Sequence, residues 1–488
     1  MNRPSLNTEH AGIRSEDYRQ ALDYLYSRIN YEKLGVSGAS QFPFRLQRMT
    51  ELFKLLGLGS YLYRVGQRPA TPLIHIAGTK GKGSTATLVA AACTASGFRT
   101  GLYTSPHLNH LEERFQIDGE LCSDEHFSHL VTRVRDASET MEAEHGKATF
   151  FELTTAMAML HFAINECEMI VAEVGLGGRL DSTNVLASSV SVITSIGLDH
   201  QHVLGDTLTS IASEKAGIIK PKVPVVSGVE QMEAREVIER KCNQEGTEYF
   251  QLGSEFNYQS TSLETWGSHV DFLGHCSELP ALTSFPLAME GEHQAKNAAV
   301  AAASFFLLKD QLKKQNTLPR SELADKQLSA DALTHSFSVT QSPCRLERFK
   351  ASEGVSVIID SSHNEDSIRA MVDSLLGRNT QQPLITIFGT SQDKSADKML
   401  AILNELPGEL ILTEYQTNPR FFAASQLLEL VPEKNRTKVN VMNQPLEACE
   451  KAWDDARKNR GTIVICGSFF LAAETRNWIR IKTSDESS

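Results

Sequence analysis

The stretch TPLIHIAGTKGKGSTATLVAAACTASG, Thr71 to Gly97, constrains the fold of this chain more than any other. The apolar run Leu73 to Ala77 reads as a buried strand ending at Gly78, and the segment from Ser84 or Thr85 reads as a helix that stops near Gly97. Between them lie Thr79, Lys80, Gly81, Lys82 and Gly83. A phosphate needs converging backbone N–H groups, glycines that let the chain turn tightly, a helix N-terminus aimed at the anion, a lysine and a hydroxyl. All of these occur here in order. The spacing nevertheless departs from G-x-x-x-x-G-K-[ST]: only two residues separate Gly78 from Gly81-Lys82, and Gly83 stands between Lys82 and Ser84. The stretch predicts a phosphate cradle of a variant type.

Other apolar runs follow at the spacing of an alternating α/β chain. RTGLYTSPHL, EMIVAEVG, VSVITSIG and PVVSGV read as strands, FELTTAMAMLHFAIN as a helix, and the segment from about Ser15 to Gly57 as helical. A polar stretch from about Lys309 to Leu328 reads as an insertion or linker. After it VSVIIDSSHN, PLITIFGT, ELILTEY, KVNVM and GTIVICGS supply five more strand candidates. The expectation is an α/β protein: a P-loop-containing, mostly parallel N-terminal ATPase domain over residues 1–340, and a smaller Rossmann-like α/β domain over 341–488.

The totals exclude several classes. A formal net charge of -12 argues against broad nucleic-acid binding. No stretch approaches eighteen consecutive apolar residues, and the N-terminus MNRPSLNTEHAGIRSEDYRQ has no apolar core of a signal peptide. The eight cysteines form no C-x-x-C pair, so free thiols in a reducing compartment are expected, and with them a cytoplasmic protein.

Candidate metal ligands fall after the strands. Glu173 ends EMIVAEVG, where open α/β sheets bind ligands, although a strand-end glutamate can equally face water. Asp199, His200 and His202 follow the next strand, and Ser105 in TSPHL offers a hydroxyl. Glu173, Arg179 and Asp181 share one loop, EVGLGGRLDSTN, whose glycine spacing is wrong for a dinucleotide fingerprint. Lys215, in the helical SEKAGIIKP, reads either as an exposed lysine or as a lysine carbamylated by CO2 into a carboxylate-like ligand.

Taken in series, GTKGKGST, TSPHL, EVGLGGRLDSTN, LDHQHVLGDT, SEKAGIIKP, GEHQAKNAAVA and DSSHN resemble the signatures of the folylpolyglutamate synthase and dihydrofolate synthase family, within the Mur ligase superfamily. The resemblance runs from Thr79 to Asn364 and implies roles for individual residues. Thr79, Lys80, Gly81, Lys82, Gly83 and Ser84 would cradle the ATP phosphates. Ser105, Glu173 and His200 would hold Mg²⁺, with carbamylated Lys215 as a further ligand and two ions in all; a monovalent cation is also compatible. Asn297, Arg345 and Asp360 would contact ATP, with His363 and Asn364 in the same loop as Asp360. Thr149, Phe150, Phe151, Glu152 and Leu180 would line the pterin side.

The implied reaction is ATP-dependent ligation of L-glutamate to a dihydropteroate or reduced-folate carboxylate through an acyl phosphate. Lys82, His200, Lys215 and Arg345 would carry the chemistry, in a monomer that binds only small molecules. A bifunctional enzyme is expected; a monofunctional folylpolyglutamate synthase, a cell-wall Mur-type ligase and a non-catalytic nucleotide-binding regulator are the alternatives. Three departures from the family pattern stand out. Lys80 replaces a common asparagine, DSSHN lacks the usual alanine, and Cys344 stands before Arg345 where glycine is usual. If that glycine needs a positive φ, Cys344 is strained there or the loop is rebuilt.

Overall fold

A computed structural model describes residues 14–30, 46–264, 266–315, 327–351, 354–378 and 383–484. The chain divides into two compact units. The first takes residues 1–258, 271–284 and 297–337; the second takes 259–270, 285–296 and 338–488.

In the first unit, helices α1 (Glu16–Tyr26) and α2 (Leu46–Leu55) precede strand β1 (Leu73–Ala77) and helix α3 (Lys82–Ala95). Then come β2 (Thr100–Tyr103), β3 (Phe115–Ile117), α4 (Asp124–His145), α5 (Phe150–Ile164), β4 (Met169–Glu173) and β5 (Val190–Ile193). The short α6 (Gln201–Leu204), α7 (Leu208–Ala216), β6 (Val225–Ser227), α8 (Met232–Glu245) and β7 (Tyr249–Gln251) complete the sheet, whose order is β3-β2-β4-β1-β5-β6-β7. Every neighbour pair is parallel except β2 with β3. Strands β1 (LIHIA) and β4 (MIVAE) are buried at every position, as expected of central strands covered on both faces. Their C-terminal ends, at Ala77 and Glu173, lie side by side, because Ile76 pairs with Glu173.

Strands β8 (Phe256–Ser262), β9 (Ser268–Gly274) and β10 (Thr283–Leu287) form a three-stranded sheet in the order β10-β9-β8, followed by α9 (Glu292–Gln315) and α10 (Ala330–Val339). In the second unit a six-stranded sheet has the order β11-β12-β16-β13-β14-β15. It alternates β11 (Glu347–Lys350) and β12 (Ser356–Ile359) with α11 (Glu365–Leu376), β13 (Leu384–Phe388), α12 (Ala396–Leu403), β14 (Glu409–Leu412), α13 (Ala424–Leu430), β15 (Val439–Val441), α14 (Pro445–Asn459), β16 (Thr462–Cys466) and α15 (Phe469–Ser484). Only β11 is antiparallel to its neighbour.

The strands expected from apolar runs are present in both units. Those not expected, β3, β7, β8 to β10 and β11, carry exposed or half-exposed positions and so lack a continuous apolar signal. Within the segment expected to be helical, residues 31–45 lie outside the described residues, as do 316–326 of the polar stretch. Helix α3 starts at Lys82, two residues before Ser84, because Gly81 adopts a left-handed φ of 83° and opens the helix itself. All eight cysteines are free thiols.

Candidate active site

The turn between β1 and α3 is shaped by close approach. A Cβ on Gly81 would lie 2.2 Å from Asn297 Oδ1, and one on Gly78 would lie 1.9 Å from Thr194 Oγ1. Neither position admits a side chain without displacing its neighbour. The residues after β5 grip the turn from the other side. Thr194 Oγ1 and Ser195 Oγ donate to the Lys80 carbonyl at 2.7 and 2.9 Å, and Lys80 N–H donates to Ser195 Oγ at 2.9 Å. Thr79 N–H donates to the Ser195 carbonyl at 2.8 Å, and Gly197 N–H donates to Thr79 Oγ1 at 3.0 Å. No side chain caps the start of α3, so its first N–H groups point out of the turn unclaimed by a cap. Lys80 is exposed, while Ser84 is buried.

The sheet then brings charged groups to this turn. Glu173, 4 % exposed, sits at the end of β4 next to β1. Its Oε2 accepts Ser105 N–H at 3.1 Å, and Lys82 Nζ lies 3.9 Å from Oε1. A Cβ on Gly83 would fall 3.6 Å from the same carboxylate. Lys215 is 4 % exposed, which overturns the exposed-lysine alternative. Its Nζ donates to the Gly78 carbonyl at 2.9 Å. Burial, and then the Lys82 charge, pull its pKa down to about 7, against the opposing pull of Asp199 and Asp181. At neutral pH a large share of Lys215 is therefore free amine, the form that reacts with CO2.

The loop after Glu173 seats the Lys215 helix. A Cβ on Gly178 would lie 2.8 and 2.9 Å from the carbonyls of Glu214 and Lys215, and one on Gly217 would lie 2.4 Å from Arg179 Cβ. Arg179 N–H donates to the Glu214 carbonyl at 2.8 Å, and its guanidinium takes Glu214 Oε1 at 3.0 and 2.9 Å. Asn184 Nδ2 donates to the Arg179 and Gly217 carbonyls at 3.0 Å each, and Asn184 Oδ1 accepts from the buried Lys220 Nζ at 2.9 Å. Asp181 is not directed at a ligand. Its carboxylate accepts N–H groups from Gly175, Leu176 and Thr183 and the Thr183 hydroxyl, and burial raises its pKa.

Other expected residues have local work of their own. Thr149 is the N-cap of α5: its hydroxyl accepts Glu152 N–H at 3.2 Å and Glu152 Oε2 accepts Thr149 N–H at 2.7 Å, a reciprocal capping box. Arg48 Nε reaches both Glu152 oxygens, at 2.8 and 2.9 Å. Phe150 is fully buried, while Phe151 and Leu180 are half-buried, Phe151 filling the space beside Gly175. His200 takes a left-handed φ of 49° ahead of α6, with a side chain 48 % exposed and 3.9 Å from Asp199.

In the second unit Asp360 is buried and both its oxygens are engaged, Oδ2 by Leu346 N–H and Oδ1 by Ser362 N–H, each at 2.8 Å. Asn364 caps α11, and His363 Nδ1 pairs with the Ser361 carbonyl at 3.0 Å. Arg345 is exposed between buried Cys344 and Leu346, and Cys344 does take the positive φ, at 54°. The sequence motifs do not single out Thr194, Ser195, Asn184 or Lys220. The first two belong to TSIG directly after a strand end, a position that could have flagged them.

Residues 76–305 match the Mur ligase middle domain family and residues 344–469 the Mur ligase glutamate ligase domain family. The chain is 32% identical over 408 residues to the folylpolyglutamate synthase of Lacticaseibacillus casei, covering 83% of this chain and 89% of that one. It is 28% identical over 465 residues to the dihydrofolate synthase/folylpolyglutamate synthase of Bacillus subtilis, covering 95% and 99%. Among solved structures, Mycobacterium tuberculosis folylpolyglutamate synthase complexed with ADP and AMPPCP aligns with a TM-score of 0.79 at 29% identity, over 95% of this chain and 98% of that one. E. coli FolC in complex with DHPP and ADP aligns with a TM-score of 0.75 at 25% identity, over 97% and 100%.

Proposed function

This chain belongs to the folylpolyglutamate synthase/dihydrofolate synthase family of Mur ligases and is an ATP-dependent ligase that adds glutamate to folates; we propose that it does so bifunctionally, on dihydropteroate and on reduced folate, through an acyl phosphate. The observation that carries the reading is the meeting of Lys82, Glu173 and the buried amine of Lys215 at one end of β1 and β4.

Joining a carboxylate to an amine in water requires activation, and both the substrate carboxylate and the γ-phosphate are anions. Lys82 and the first N–H groups of α3 neutralise and orient the transferring phosphoryl group, which is most of what such a step needs. Glu173, the Ser105 hydroxyl, His200 and a carbamylated Lys215 would hold Mg²⁺. Three of these four donors are oxygens, the kind Mg²⁺ prefers; no cluster of three or more His, Cys, Asp or Glu side chains suited to a metal occurs among the described residues. Magnesium, when bound, offsets the repulsion between the two anionic reactants. Asn297, packed on Gly81, borders the nucleotide, and Arg345, Asp360, His363 and Asn364 serve it from residues 341–488, the glutamate-ligase domain. Thr149 to Glu152 and Leu180 form the pterin-side wall, with Thr149 and Glu152 shaping it through the cap rather than through free polar atoms. The enzyme is read as a cytoplasmic monomer without nucleic-acid partners; no described helix is long and apolar enough to cross a membrane.

The test is ADP formation with L-glutamate and either dihydropteroate or tetrahydrofolate. Turnover with both is expected. Turnover with tetrahydrofolate alone makes the enzyme monofunctional, and ADP release that ignores both pterins and glutamate overturns the ligase reading.

A further inference from the structure

The residues on either side of Arg345 hold backbone conformations that side chains disfavour. Cys344 has a φ of 54° and Leu346 a φ of 48°, both in the left-handed region where a Cβ meets the following carbonyl. Both are buried, at 0% and 1% exposure, whereas Arg345 between them is exposed. The pair of left-handed residues thus throws one guanidinium outward from a buried strand of backbone.

Two carboxylates fix that geometry. Glu347 Oε2 accepts Cys344 N–H at 2.9 Å, and the same carboxylate is forked by Arg476, whose Nε and Nη2 lie 2.7 and 2.6 Å from its two oxygens. Those side chains are 8% and 15% exposed. On the other flank Asp360 Oδ2 accepts Leu346 N–H at 2.8 Å, and Ser361 N–H donates to the Cys344 carbonyl at 2.8 Å. Among the described residues, the Arg345 side chain itself has no hydrogen bond or ion pair.

We propose that Glu347 and Arg476 are positioning residues for Arg345: their ion pair clamps Cys344 in the left-handed conformation, and that conformation aims the Arg345 guanidinium at the anionic substrates. The inference rests on the reading of Arg345 as a phosphate-serving residue. Arg476 acts at one remove: it fixes the Glu347 carboxylate, which fixes the Cys344 peptide, which sets the direction of the next side chain. Without the clamp, Cys344 relaxes to a negative φ and the guanidinium turns away. A glycine at 344 populates positive φ freely, so it makes the clamp partly dispensable.

The experiment compares Glu347→Gln, the pair Glu347→Gln/Arg476→Met, and each combined with Cys344→Gly, by kcat and KM for ATP well below each variant's Tm. The paired variant removes both charges, so no buried cation is stranded if Glu347→Gln alone folds poorly. Both clamp variants should lose about tenfold or more in kcat/KM for ATP, and Cys344→Gly should recover about threefold or more of that loss. Arg345→Ala should reproduce the loss, and adding Glu347→Gln to it should cost nothing further in kcat/KM. Clamp variants with lowered Tm but unchanged kcat/KM, beside an impaired Arg345→Ala, overturn the positioning role alone, as does a loss that Cys344→Gly leaves untouched. Unimpaired Arg345→Ala overturns the phosphate-serving reading and the clamp with it.

Discussion

Lys215 Nζ donates to the carbonyl oxygen of Gly78 at 2.9 Å, tying α7, which lies between β5 and β6, to the first glycine of the phosphate turn. The bond places the amine beside the turn while burial keeps it ready to react. Intact-mass and ¹³C NMR measurements in ¹³C-bicarbonate should show one carbamate that disappears in Lys215→Ala. Activity should fall when CO2 is stripped from the buffer and return when bicarbonate is restored.

Lys82→Ala removes the ammonium 3.9 Å from Glu173 without disturbing a packed core, since Lys82 is only partly buried. Ligation should fall by about 10²–10³-fold, the scale of losing one preorganised electrostatic contact, with little change in Tm. Near-normal turnover would remove the phosphate turn from the mechanism.

Gly81→Ala introduces a Cβ 2.2 Å from Asn297 Oδ1 at a φ of 83°. The strain should cost about 1–3 kcal/mol in urea denaturation and weaken ATP binding together. Isothermal titration calorimetry with AMPPCP checks the second effect.

Lys220 loses basicity on folding: burial takes its pKa from an ordinary 10.5 to about 7. Between those values the unfolded chain binds more protons than the folded one, so this residue's contribution to stability rises with pH across that window. Relative to wild type, Lys220→Met should gain most below pH 7 and progressively lose that advantage toward pH 10. Chemical denaturation at pH 6.5 and 9.5 reads the difference.

Thr149→Ala removes the N-cap of α5 and should lower stability by about 1 kcal/mol, whether or not pterin is present. Arg48→Met leaves the Glu152 carboxylate buried without its cation and should cost about 3–5 kcal/mol. Thermal denaturation of both variants, ranked in that order, is the expected result.

What could be read from the chain follows the range of the physics. The β1 turn was legible because strand, glycines, lysine and helix lie within a few residues of one another. The start of its helix is not legible to the residue, because the left-handed Gly81 that opens it packs against Asn297, more than two hundred residues along the chain, where a Cβ would lie 2.2 Å from Oδ1. The burial of Lys215 has no local signal: LTSIASEKA carries polar residues around the helix, and the groups that approach it, Gly178 at its carbonyl and Gly78 at its amine, lie 37 and 137 residues away. Cys344 could be posed as a conditional from family pattern, and its φ resolved the condition. Arg476, 129 residues from Glu347, left no trace in sequence spacing. The capping box at Thr149 is legible as T-x-x-E, in the same four residues that the family resemblance places on the pterin side.

The grip of Thr194, Ser195 and Gly197 on the phosphate turn has a consequence for how the protein is made. Lys80 meets Ser195 across 115 residues of chain. A growing polypeptide therefore carries the glycine-rich segment long before it carries the mould that shapes it. Nucleotide affinity should switch on during synthesis as a step, when β5 docks beside β1, rather than accumulate as the N-terminal segment lengthens.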